Sequence, residues 1–116
     1  MVLITGAGGM LGGYLKDIFR DEQIVTLGLK NDSDFRVDLS KENPDFQDKK
    51  FDLVLHAAGT EDKHKAIDLN LEGTKRLLSA LEENPPAHFV YISSHKVYIR
   101  DAGENVTEET NKWESD

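Results

Sequence analysis

Short apolar runs alternate with amphipathic stretches along this chain. Four apolar, partly β-branched runs predict buried strands: residues 2–5, 24–29, 51–57 and 88–93. Residues 9–20 and 65–83 carry apolar side chains at helical spacing and predict two amphipathic helices. The polar residues 30–50 predict irregular structure with room for one helical turn. Because near-continuous apolar strands alternate with helices, we expect an α/β fold with a doubly wound parallel sheet.

Charge and composition exclude several classes of function. The chain has 116 residues, with 22 Asp and Glu against 14 Lys and Arg and a net charge of −8. An acidic chain repels phosphate backbones and anionic bilayers, so we expect neither nucleic acid nor a membrane as partner. Cysteine is absent, which excludes disulfides and cysteine nucleophiles. No apolar run reaches the roughly 18 residues of a membrane span, and no basic signal leader is present, so we expect a cytoplasmic location.

A glycine-rich segment joins the first predicted strand to the first predicted helix. Gly6, Gly9 and Gly12 recur at intervals of three, a close variant of the dinucleotide fingerprint, whose own spacing fails because Leu11 stands at its last position. Gly6 would permit a tight turn, Gly9 would let the backbone approach a pyrophosphate, and Gly12 would let the helix pack closely on the sheet. Together with Met10 and Leu11, these glycines predict a dinucleotide site at a helix N-terminus.

The choice between NAD and NADP depends on the end of the second predicted strand. An acid that would accept from the adenosine ribose is missing there, where Gly28, Leu29 and Lys30 stand. Lys30 could instead contact a 2′-phosphate, which favours NADP slightly over NAD. In the alternative interpretation Lys30 is solvated and Asn31 or Asp32 serves the ribose.

Asp38 follows a further polar stretch and has two possible roles. Its carboxylate could accept from the adenine amino group at the edge of the pocket, or it could cap the turn at Ser40. The four histidines share no metal-ligand spacing, so no metal site is expected. Of these, His56 is expected to be a strand-end residue, and His95 could border a substrate.

Five segments occur in a characteristic order. They are the glycine segment, Asp38 with Leu39, HAAG at residues 56–59, DLNLEGT at residues 68–74, and SSHKVY at residues 93–98. In this order and spacing they resemble the extended short-chain dehydrogenase/reductases, the group of nucleotide-sugar epimerases, dehydratases and reductases. The resemblance covers residues 1–98 and identifies them as the N-terminal, NAD(P)-binding portion of a Rossmann-type fold, with four strands in the order 3-2-1-4.

The resemblance assigns roles to individual residues. It implies that Ala57, Ala58 and Gly59 lie along the cofactor, although plain strand-end packing remains an alternative. Asn70 would stabilise the sheet at the cofactor-binding end, Gly73 would allow close helix packing, and Leu39 would accompany Asp38 at the pocket. Ser94 would hydrogen-bond the oxygen of the substrate as the one catalytic residue of this chain, unless it merely ends a strand.

The family's catalytic Tyr-x-x-x-Lys pair has no counterpart in this sequence. It would fall just beyond Asp116, and none of Tyr14, Tyr91 and Tyr98 has a lysine four residues later. Residues 99–116 carry six acids and two bases and are expected to form an acidic surface segment leading towards that pair and a substrate domain. The complete enzyme would transfer a hydride to or from a carbon of a nucleotide sugar. These 116 residues alone are expected to be inactive.

A non-enzymatic nucleotide-binding or interaction module is the rival interpretation. Such a module would keep the Rossmann half and need no tyrosine. A Tyr-x-x-x-Lys encoded shortly after Asp116 would favour the enzyme, and a stop codon would favour the module. The family resemblance also allows a homodimer.

Overall fold

The computed structural model describes residues 1–60 and 62–92. These residues form a parallel sheet with a helix on each face. The elements in chain order are β1 (Val2–Thr5), α1 (Met10–Ile18), β2 (Ile24–Gly28), β3 (Phe35–Arg36), β4 (Leu53–His56), α2 (Lys63–Ala66), a π-helical segment (Ile67–Glu72), α3 (Gly73–Ala80) and β5 (His88–Tyr91). The architecture is therefore the expected α/β fold of Rossmann type.

The strand order of the sheet is β3-β2-β1-β4-β5, and every neighbouring pair is parallel. The order 3-2-1-4 is confirmed, with a fifth strand beyond it. Two assignments within it are wrong. The run at residues 88–93, expected next to β1, provides the edge strand β5, and the third strand is Phe35–Arg36 and not residues 51–57. That run is β4, which pairs with β1, Val54 lying opposite Leu3. A two-residue strand in a polar stretch has too few positions to show a periodic signal, which explains why β3 was expected to be irregular.

Apolar side chains cover the sheet on both faces. Leu3, Val54 and Leu77 are fully buried on one face, where α3 packs on the sheet. On the other face Ile4 and Leu55 form a smaller cluster that Leu15 and Phe19 cover from the side of α1. Doubly wound packing of this kind leaves the carboxyl ends of the strands free to hold a ligand.

Residues 63–80 form one continuous helical stretch that begins earlier and ends earlier than expected. Asp62 caps its start, since its carboxylate accepts from His64 N at 2.9 Å. Close packing of this stretch depends on Gly73, where a Cβ would lie 3.2 Å from both Cβ and O of Leu39. Across the described ranges, no helix combines the length and apolar character needed to cross a membrane.

Candidate functional site

A cleft of about 320 Å³ lies at the carboxyl ends of β1, β2 and β4. Its lining residues are Gly6, Gly8, Gly9, Leu27, Gly28, Leu29, Lys30, Val37, Asp38, Leu39, Ala57, Ala58, Gly59 and Leu69. The cleft thus brings together most of the residues expected at a cofactor site, from segments far apart in the sequence. Met10, Leu11, Gly12 and Asn70 lie next to it without lining it. Ser94 and His95 lie outside the described residues.

Three glycines shape the turn beside the cleft, each for a different steric reason. Gly6 has φ of +66°, and a Cβ there would lie 2.7 Å from Ala58 N. A Cβ on Gly12 would lie 2.6 Å from the Cα of Ala7, so only glycine lets α1 approach the turn this closely. A Cβ on Gly9 would meet only Gly6 O, at 3.5 Å, so the space beyond Gly9 is open. The turn and the packing are set by Gly6 and Gly12, and Gly9 leaves room for a ligand.

The N-terminus of α1 faces this glycine turn. Gly9 is its N-cap and offers no side-chain acceptor, and no acid lies in the first turn. The first N–H groups of a helix have no partner within it, and they form the positive end of its dipole. Met10 and Leu11 are 82% and 42% exposed and stand in the first turn of α1, so their backbone N–H groups belong to this positive end of the helix.

Lys30 lies across the glycine segment after β2. A Cβ on Gly8 would be 3.1 Å from both Cδ and Cε of Lys30, so the aliphatic part of this side chain packs against the glycine backbone. The cation therefore lies close to the turn that a dinucleotide would occupy. Asp32 lines a second, adjoining cavity that also contains Lys30, and it is absent from the lining of the cleft.

Asp38 adopts the capping role that was one of its two expected roles. Its Oδ1 accepts from Ser40 N at 3.0 Å and from Ser40 Oγ at 2.6 Å. The hydrogen bond from the Ser40 hydroxyl holds the pKa of Asp38 below its usual value, although partial burial opposes this effect. Since both bonds end on Oδ1, the second carboxylate oxygen keeps its capacity to accept at the edge of the cleft. Leu39, next to it, is 2% exposed and belongs mainly to the core.

Residues 57–59 form one wall of the cleft, and two polar side chains hold the backbone of residues 57–60. Asn70 Oδ1 accepts from Thr60 N at 2.8 Å, and Asn70 Nδ2 donates to Thr60 O at 2.9 Å. Ala58 N donates to Thr5 Oγ1 at 3.1 Å. Asn70 thus acts on the site by binding the wall, from the π-helical segment behind it. Such segments recur at functional sites.

His56 takes a larger part in the site than a simple strand end would. It is 1% exposed, with Nδ1 2.6 Å from Thr5 Oγ1 and Nε2 2.8 Å from Thr74 Oγ1. Burial lowers the pKa of His56 to about 4. The sequence feature that could have pointed to this role is a histidine inside an apolar strand, because a buried polar ring requires hydrogen-bond partners. Its partners come from β1 and α3, so the sequence could not name them.

The described part of the chain contains no cluster of three or more metal-ligating side chains. Its hydrogen bonds leave no buried side-chain polar atom unpaired. Within these residues the site therefore consists of backbone N–H groups, a lysine, an aspartate and apolar walls. This donor set suits a large anionic ligand with apolar rings better than a metal ion.

The NAD dependent epimerase/dehydratase family has a sequence model that matches residues 2–115. No curated protein shows significant similarity to the chain. Among solved structures, MoeE5 in complex with UDP-glucose and NAD is 25% identical, with a TM-score of 0.70, over 84% of this chain and 38% of that one. RMD from Pseudomonas aeruginosa complexed with NADPH is 27% identical, with a TM-score of 0.66, over 94% of this chain and 41% of that one.

A structure of UDP-galactose 4-epimerase shows the same fold. It has a TM-score of 0.79 at 18% identity and covers 96% of this chain and 44% of that one. The chain therefore spans 38% to 44% of the length of these solved structures. The family model, which matches residues 2–115, covers the glycine turn and every residue that lines the cleft.

Proposed function

Because the chain belongs to the NAD dependent epimerase/dehydratase family, we propose that its cleft binds a nicotinamide dinucleotide. The observation that carries the proposal is the glycine turn, in which Gly6 has φ of +66° and Gly9 faces open space. Glycine is the residue that permits a turn with a positive φ and lets a ligand approach the backbone closely. The proposal is supported further by the NAD and NADPH in two of the similar structures.

The pyrophosphate would lie at the N-terminus of α1. There the N–H groups of Met10 and Leu11 would donate to it, and Gly9 would leave space for its oxygens. Ala57, Ala58 and Gly59 would line the opposite wall, where small side chains leave room for a ribose. Asp38 would accept from the adenine amino group through its second carboxylate oxygen while it continues to cap Ser40. The bound cofactor would supply the hydride acceptor or donor, which no side chain provides.

A preference for NADP over NAD is the finer part of the proposal. Its support is the position of Lys30, which packs on Gly8 just after β2. Among the described residues that line the cleft, Asp38 is the one carboxylate. A lysine there can form a charge-assisted hydrogen bond with a 2′-phosphate. The similar structures include both dinucleotides, one with NAD and one with NADPH.

The complete enzyme would oxidise or reduce a carbon of a nucleotide sugar. In this proposal Ser94 orients the reacting oxygen, and a Tyr-x-x-x-Lys pair beyond residue 116 exchanges its proton. Residues 1–98 would be the cofactor-binding half, and residues 99–116 an acidic surface segment leading to that pair. UDP-glucose in the MoeE5 structure supports the substrate class. These 116 residues would bind cofactor without turnover, and this stays a prediction.

Location and assembly belong to the same proposal. The proposal includes a cytoplasmic location, with which the cysteine-free sequence agrees. A homodimer is supported by exposed apolar side chains on the helical stretch, where Ile67 is 68% and Leu71 is 51% exposed.

A matched pair of valine substitutions tests the cleft. Gly9→Val places a branched side chain in the open space beside the turn, at an extended backbone position (φ −82°) that valine adopts easily. We expect NADH and NADPH affinity to fall at least tenfold, measured by titration calorimetry. Gly13→Val is the control, because a Cβ at Gly13 meets nothing within 4 Å. Equal affinity in both variants and the wild type would contradict this site.

A further inference from the structure

The hydrogen bonds around His56 have a defined direction. The Thr74 hydroxyl has one hydrogen, which it donates to Asn70 O at 2.6 Å, one helical turn earlier. Thr74 Oγ1 must therefore accept the hydrogen of His56 Nε2, 2.8 Å away. This fixes the imidazole as the tautomer protonated on Nε2.

The hydrogen bond on the other side of the ring, at His56 Nδ1, has a defined direction as well. A neutral ring with its hydrogen on Nε2 leaves Nδ1 as an acceptor, so the Thr5 hydroxyl donates to it over 2.6 Å. Thr5 Oγ1 in turn accepts from Ala58 N at 3.1 Å. Each ring nitrogen thus makes one hydrogen bond, and each hydroxyl donates one and accepts one. A second proton on the ring would require the Thr5 hydroxyl to turn away.

These hydrogen bonds form a circuit that begins and ends in residues 57–60. It runs from Ala58 through Thr5, His56 and Thr74 to the carbonyl of Asn70, whose side chain holds both polar backbone groups of Thr60. The circuit joins β1, β4 and the helical stretch to the loop between them. The circuit contains no charged side chain, and the aromatic rings of Phe89 and Tyr91 on β5 lie beside the imidazole, with centroids 6.0 and 5.4 Å away.

We propose that His56 is a positioning residue: as the neutral Nε2–H tautomer it holds residues 57–60 in the conformation that lines the cleft. The inference rests on the proposed dinucleotide binding for its functional consequence. A loop that is ordered before the ligand arrives loses less conformational entropy on binding, so affinity rises without any contact between His56 and the ligand. The polar groups of a buried circuit also support one another, and removing one hydroxyl weakens the whole path.

The experiment compares Thr74→Val with Thr74→Ser in the 116-residue chain. Valine keeps the shape and removes the hydroxyl, and serine retains it. We expect the valine variant to lose about tenfold in NADPH affinity and to exchange the amide hydrogens of Ala58 and Thr60 at least tenfold faster. The serine variant should stay within twofold of the wild type. Thr26→Val, on β2 and outside the circuit, is the control for losing a threonine hydroxyl that hydrogen-bonds elsewhere, in this case with Asp34.

Nitrogen chemical shifts of the wild-type ring provide a test that needs no ligand. They should show Nε2 protonated and Nδ1 bare at neutral pH. The opposite tautomer, or unchanged amide exchange in Thr74→Val, would overturn the positioning role. If the wild type bound neither dinucleotide, the proposed function would fail on its own, and the tautomer and exchange data would still support or overturn the control of the loop by His56.

Discussion

The side-chain amide of Asn70 binds the backbone of Thr60 at both of its polar groups, through Oδ1 to N at 2.8 Å and through Nδ2 to O at 2.9 Å. This pairing requires one donor and one acceptor on the same side chain, which an amide supplies and a carboxylate does not. Asn70→Asp therefore replaces a donor by an acceptor facing a carbonyl. We expect the free energy of unfolding to fall by about 1–3 kcal/mol and dinucleotide affinity to fall with it.

Denaturant unfolding and titration calorimetry measure the two effects of Asn70→Asp. Asn43→Asp adds the same charge at an exposed position outside the cleft and serves as the control. A stability of Asn70→Asp equal to that of this control would show that the amide pair contributes nothing.

Lys30 should distinguish NADP from NAD. Because its charge lies beside the glycine turn, removing it should weaken the binding of a 2′-phosphate and leave the rest of the dinucleotide unaffected. We expect Lys30→Ala to lose about tenfold in NADPH affinity with less than a twofold change for NADH. The ratio of the two dissociation constants is the quantity to measure.

Lys49→Ala is the matched control for Lys30→Ala, since this exposed lysine lies outside the lining of the cleft. It removes the same charge from the protein as a whole, so it reveals any long-range effect on anion binding. Tighter binding of NADH than of NADPH by the wild type would reverse the preference for NADP.

The buried His56 should make stability depend on pH. Its pKa is lowered to about 4 in the folded protein, from 6.5 in an exposed ring. The stabilisation is complete above pH 6.5, where the ring is neutral in both states. As the pH falls from 6.5 towards 4, the unfolded chain takes up a proton that the folded protein excludes. We expect the free energy of unfolding to fall by about 3 kcal/mol over this range.

Urea unfolding at pH 7.5 and at steps down to pH 4.5 measures this dependence. His56→Asn should flatten the curve in this window, whereas His88→Asn, which removes an exposed imidazole on β5, should leave it unchanged. The carboxylates with lowered pKa, Asp38 and Asp52, lose their contributions at lower pH, since the usual value is 3.8. A curve that stays flat between pH 6.5 and 4.5 in the wild type would contradict the buried neutral ring.

The expectations that held depend on residues close together in the sequence. A buried strand, a turn and a helix follow one another within residues 2–18, so apolar periodicity and glycine spacing together predicted β1, α1 and the open space beside Gly9. Lys30 was identified from its place at the end of the second strand, Asp38 from the polar stretch that follows, and residues 57–59 from the family resemblance. All of them line the cleft, and their contacts with a cofactor stay a prediction. Local backbone preferences and the rules of parallel sheets therefore determined the fold class and the position of the glycine turn.

Tertiary structure alone decided which elements pair and which side chains meet. The strand β3 depends on pairing with β2 and has too short a pattern of its own, so the third place in the sheet was assigned to the wrong run. Thr5, His56 and Thr74 are separated by 51 and 18 residues along the chain and become a directed circuit only when β1, β4 and α3 pack together. Hydrogen bonds between distant residues leave no periodic trace in the sequence, because each partner is chosen by where the folded backbone places it.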